Sequence, residues 1–71
     1  MCIIIYRPVD ATIPEAGLRY YHKANSDSWG LMWAAGGHLQ IQTGEGNYAS
    51  FHKALRLARG AVVVHLRTAT T

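Results

Sequence analysis

Two runs of β-branched residues near opposite ends of a 71-residue chain constrain its fold more than any other feature. Cys2-Ile3-Ile4-Ile5-Tyr6 stops at Arg7-Pro8, and Ala61-Val62-Val63-Val64-His65-Leu66 runs into Arg67. Short apolar β-branched runs bounded by breakers predict strands, and consecutive isoleucines predict a strand covered on both faces. A chain this short forms one domain with a small core, burying only about 60% of the surface its unfolded form exposes.

The segments between fill in the rest. Pro8 and Pro14 bracket a loop. Pro14-Glu15 opens a short helix continued by Ala16, Leu18, Tyr20 and Tyr21, with Gly17 weakening it. Asn25-Ser26-Asp27-Ser28 is a polar turn, and 29–34 reads as a strand. Ala35-Gly36-Gly37-His38 is a tight reversal into Leu39-Gln40-Ile41-Gln42-Thr43. There Leu39 and Ile41 point one way, and His38, Gln40 and Gln42 the other, as in an antiparallel hairpin. Gly44-Glu45-Gly46 makes a second loop. Tyr48, Phe51, Ala54, Leu55 and Ala58 recur at helical spacing, which predicts a helix over 48–59, capped by Asn47 and stopped by Gly60.

This order predicts an α/β or α+β layer, the α+β form being a mostly antiparallel sheet with helices packed on it. The end just past a buried strand predicts the N-terminal piece of a longer domain. It also predicts that 62–66 is an exposed apolar edge able to pair or aggregate.

Composition removes several classes. With 49% apolar and 15% charged residues, the chain is too apolar for a disordered tail. Seven lysines and arginines against four acids give a net charge of +3, enough for mild attraction to anions. Lys53, Arg56 and Arg59 share one helix face and read as a solvated surface. Trp29, Trp33, Tyr20 and Tyr21 read as core or cleft wall rather than as a base-stacking platform, so no nucleic-acid partner is expected. The longest apolar runs are four or five residues, against about 20 for a membrane span. With no secretory signal, the expected compartment is the cytoplasm.

A single cysteine excludes an internal disulfide and a cysteine-based zinc site. His22, His38, His52 and His65 sit in unlike contexts, so no metal is expected. His65, between Val64 and Leu66, reads as a buried, hydrogen-bonded residue. The glycines Gly36-Gly37 and Gly44-x-Gly46 match neither a P-loop nor a dinucleotide fingerprint.

Two residues stand out chemically. Methionine before a small residue is normally trimmed, which leaves Cys2 at the N-terminus. A terminal amine has a pKa of about 8, close to that of a thiol, and can act as base for the side chain beside it. The alternative for Cys2 is a small core residue opening a strand. Arg67, at a strand end beside Thr68 and Thr70, suits bidentate binding of a carboxylate. Its alternative is a charge facing water.

Taken together, Met1-Cys2 opening into a strand, Asn25-Ser26-Asp27-Ser28-Trp29-Gly30, and His65-Leu66-Arg67-Thr68-Ala69-Thr70 resemble one family. The chain is similar to the start of a class II glutamine amidotransferase domain, an N-terminal-nucleophile hydrolase. The last segment matches the family's His-x-Arg-x-Ala-Thr motif at every fixed position. The opening is most like that of small stand-alone or phage-encoded members.

The resemblance implies the N-terminal part of an α/β/β/α layered fold, with 1–71 a partial domain. It implies L-glutamine as substrate, Cys2 as nucleophile and Arg67 as partner of the α-carboxylate, with Thr70 in the same pocket. His65, Ala69, Asn25, Asp27 and Gly30 carry the motifs, and no metal or organic cofactor is needed. Ile3 stands where the family has glycine, which predicts crowding beside the thiol. Ser28 replaces a glycine expected at positive φ. The family's oxyanion-hole Asn-Gly pair and its amine-reading aspartate come later than residue 71. The chain alone is therefore expected to be weak or inactive unless another chain completes it. Two alternatives stand beside this: another amide hydrolase of the same fold class, and a non-catalytic fragment or interaction module.

Overall fold

Alternation along the last strand organises the core. In the computed structural model, which describes residues 2–68, Val62, Val64 and Leu66 are fully buried while His65 and Arg67 face outward. The elements run β1 (Cys2–Arg7), α1 (Glu15–Ala24), β2 (Ser28–Ala35), β3 (His38–Glu45), α2 (Tyr48–Leu57) and β4 (Val62–Arg67). They form a small α+β fold with one four-stranded sheet, ordered β1-β4-β2-β3 and antiparallel throughout. Thus β1-α1-β2 straddles β4, and β3-α2-β4 straddles β2: two interleaved crossover units.

This order corrects the expectation that 62–66 is an exposed edge. β4 is hydrogen-bonded on both sides, to β1 and to β2, and the edges are β1 and β3. The most β-branched segment takes the central slot, where both rows of its backbone groups are satisfied.

Both helices pack on one face. Leu18 of α1 and Phe51, Ala54 and Leu55 of α2 meet Trp29, Leu31, Val62, Val64 and Leu66 of the sheet. Ile3 and Ile5 join the margin of this core, whereas Ile4 and Tyr6, alternating with them, are 71% and 61% exposed. β1 is therefore covered on one face, not on both. A run of isoleucines supplies apolar side chains to both faces, but the helices reach only one.

Local chemistry sets the helix ends. Asn47 caps α2, its Oδ1 accepting from the N–H groups of Ala49 at 2.8 Å and Ser50 at 3.3 Å. The helix ends at Leu57, short of the expected 59, because Ala58 turns extended; Gly60, at φ 80°, then swings the chain into β4. α1 follows Pro14 and carries an exposed Glu15–Arg19 pair at 3.3 Å. Gly36 and Gly37, at φ 58° and 77°, form the two-residue hairpin turn. No helix among the described residues is long and apolar enough to cross a membrane.

An aromatic layer lies between helices and sheet. His22 stacks on Phe51 at 5.5 Å, and Trp29 and Tyr48 lean on the same ring. Burial pushes the Tyr48 hydroxyl pKa up, and the nearby Arg19 guanidinium opposes that shift.

Candidate functional site

The site begins with the side of the sheet that no helix covers. Successive strand residues alternate between faces, so the register decides which side chains meet there. Cys2 lies directly opposite Arg67, Arg67 opposite Ser28, and Ser28 opposite Glu45. These four form one row across all four strands. The next row on the same face is Ile4, His65, Gly30 and Thr43, followed by Tyr6, Val63, Met32 and Ile41.

The thiol of Cys2 is free and exposed. Directly opposed residues in an antiparallel pair have Cα atoms about 4.5–5.5 Å apart, so Cys2 and Arg67 stand side by side. Ile3 does not crowd the thiol as expected. Its side chain points to the covered face, against the helical core.

The turn before β2 fixes the end of β4 that carries Arg67. The Asp27 N–H donates to the Arg67 carbonyl at 3.0 Å, and the Gly46 N–H donates to the Asp27 carbonyl at 3.2 Å. Asn25 is buried at the end of α1, its Nδ2 donating to the Tyr21 carbonyl at 3.3 Å. The Thr68 hydroxyl reaches back to donate to the Ala24 carbonyl at 3.0 Å. Asn25 and Asp27 therefore hold the arginine strand in place through the backbone around them.

Ser28 needs no special backbone. It is the first residue of β2, and Asp10 is the only non-glycine at positive φ among the described residues. The expected strain at Ser28 does not arise, because the chain enters the strand before any turn is required. Gly30 has room for a side chain, the nearest atom to a built Cβ being a Thr43 methyl at 3.7 Å. Its bareness instead opens a recess of about 290 Å³ lined by Ser28, Gly30, Thr43, Glu45, His65 and Arg67.

His65 departs from expectation. It is exposed on the open face, two residues along β4 from Arg67, and its imidazole makes no hydrogen bond to the described residues. The apolar neighbours Val64 and Leu66 face the other way, so they do not bury it. Ala69 and Thr70, the remaining motif positions, lie outside the described residues. Among those residues no three His, Cys, Asp or Glu side chains group as metal ligands.

Two members of the row carry no site role in the sequence reading: Ser28 enters it only as a departure from a motif glycine, and Glu45 only as part of a loop. A signal for them exists: a two-residue turn at Gly36-Gly37 pairs Ala35 with His38, and counting outward from it pairs Ser28 with Glu45. The row thus offers a thiol, an exposed cation on a backbone-anchored strand end, a hydroxyl and a carboxylate along one end of an open sheet face. Comparison of the chain with protein-family models, with curated proteins and with solved structures found no match to any of them.

Proposed function

We propose that the chain carries the glutaminase chemistry of a class II amidotransferase, with Cys2 as nucleophile and Arg67 as carboxylate clamp. The observation that carries this is their direct opposition on one exposed sheet face. L-Glutamine suits that spacing. Its amide carbon and its α-carboxylate carbon are four C–C bonds apart, about 5 Å when extended. One end of the substrate reaches the thiol while the other reaches the guanidinium.

In this mechanism, with Cys2 at the N-terminus, its α-amine takes the thiol proton. The thiolate sulfur attacks the amide carbon, and the amine returns a proton to the leaving nitrogen, which departs as ammonia. Water then attacks the thioester, releasing glutamate and restoring the thiol. Thr70 joins Arg67 in the substrate pocket on this proposal. Asn25, Asp27, Gly30, His65 and Ala69 serve as its frame.

The same proposal assigns the open face to the interior of an α/β/β/α arrangement, with a second sheet laid over it. β3 supports this: its apolar residues Leu39 and Ile41 turn away from the helices, toward the uncovered side. The exposed face also favours a second reading, in which the chain is an interaction module that docks through this sheet.

Incubation with a diazoketone analogue of L-glutamine, read by intact mass, separates the two. The glutaminase proposal predicts one label per chain, absent in Cys2→Ala and strongly slowed in Arg67→Ala. An unlabelled, folded chain lacking Met1 contradicts a working site in this chain alone and leaves an incomplete domain or the interaction module.

A further inference from the structure

The cations of this chain are not spread evenly in space. Arg7, Arg19, Lys53, Arg56 and Arg59, five of the seven lysines and arginines, line two adjoining hollows on the helical side of the molecule. The hollows share His52 and Arg56 and have volumes of about 160 and 650 Å³. No acid lines either one, and no acidic residue follows Glu45 in the sequence. This surface lies across the sheet from Cys2.

The groove is a poor surface on its own terms. Lys53 and Arg56 are neighbours on α2 with no Glu or Asp on that helix to offset them, an arrangement that weakens a helix. Two of the arginines are already held in place. Arg7 donates from one nitrogen to the carbonyls of Ala58 and Gly60, both at 2.9 Å. Arg19 is tied to Glu15 and lies over the Tyr48 ring, 4.5 Å from its centroid. His52 stacks on the same tyrosine at 5.5 Å. Four cations, Arg19, Lys53, Arg56 and Arg59, thus line the larger hollow, a space of small-ligand size, and Arg7 lines the smaller one that adjoins it at Arg56.

We infer that this groove binds a compact polyphosphate, either a free phosphate chain or the phosphates of a nucleotide. Several adjacent phosphates concentrate negative charge in a small volume, as the convergence of arginines around Arg56 requires. Guanidinium groups bind phosphate oxygens in the fork geometry that phosphates favour. A single carboxylate would leave most of these cations uncompensated. The site is independent of the Cys2 chemistry and makes the chain responsive to a second ligand on its far side.

Titration calorimetry with inorganic triphosphate and with ATP tests this on the unmodified chain, on the double variant Lys53→Gln/Arg56→Gln and on Lys23→Gln. All three substituted side chains are exposed, so circular dichroism should show the variants folded. Saturable one-to-one binding with Kd below about 1 mM is expected, weakened roughly tenfold in the double variant and unchanged in Lys23→Gln. Raising salt from about 50 mM to about 300 mM should weaken it further. Tighter binding of ATP than of triphosphate assigns the ligand to nucleotides; equal binding assigns it to the phosphate chain alone. Equal weakening in Lys23→Gln, or absence of saturation, overturns the site. An oligonucleotide that binds more tightly per phosphate through the same residues overturns the small-ligand assignment.

Discussion

The two faces of the sheet follow opposite rules. On the helix-covered face the side chains are chosen by volume: Val62, Val64, Leu66 and Phe51 are fully buried, and Leu31 and Trp29 nearly so. On the open face they are mixed. A polar row of Cys2, Arg67, Ser28 and Glu45 sits beside exposed Ile4, Tyr6, Leu39 and Ile41. One face holds the fold together. The other leaves much of its apolar area exposed, and it carries the only thiol. On the glutaminase proposal, stability and chemistry are separated by the thickness of one sheet, and β4 serves both, with Leu66 on one side and Arg67 on the other.

Substitutions can sharpen or break that contrast. Phe51→Ala empties the centre of the covered face and should cost about 3–5 kcal/mol in urea unfolding. For a domain this small, that leaves little or no folded protein. Gly44→Ala comes next. A Cβ there would collide with the Trp29 indole, and the overpacking should cost about 1–3 kcal/mol. Asn47→Ala removes the cap of the covering helix, and its thermal unfolding should report a loss of about 1 kcal/mol. The smallest effect belongs to the open face. Ile41→Thr, at a site 67% exposed, should change stability by less than about 0.5 kcal/mol. A loss several times larger in the isolated chain would mean that another copy already covers this face, and the contrast would fail.

Local patterning made much of the covered face legible in the sequence. The helical spacing of Phe51, Ala54 and Leu55, the Asn47 cap and the Gly36-Gly37 turn each act over a few residues and appear where expected, while the helix stops at Leu57, before Ala58. What was not legible depends on pairing between distant segments. Cys2 and Arg67 are joined by no tight turn, so nothing local fixes their register. Nor does anything local say that β4 inserts between β1 and β2. The same gap misplaced Ile4 and His65. Their neighbours are apolar enough to suggest burial, but burial depends on a covering layer, and only one face of the sheet has one. The cationic groove was missed for a related reason. Lys53 and Arg56 read as a solvated stripe until α1 and β1 bring Arg19 and Arg7 to the same hollows.

On the glutaminase proposal, Arg67 acts on the substrate's carboxylate rather than on the thiol itself. The direct test compares two alkylation rates at Cys2, one with the diazoketone analogue of L-glutamine and one with iodoacetamide, which has no carboxylate to bind. The account predicts that Arg67→Ala slows the first by roughly tenfold or more, the worth of a charge-assisted pair, and leaves the second nearly unchanged. Equal slowing of both, or of neither, would contradict it, because Arg67 would then be tuning the thiol or taking no part.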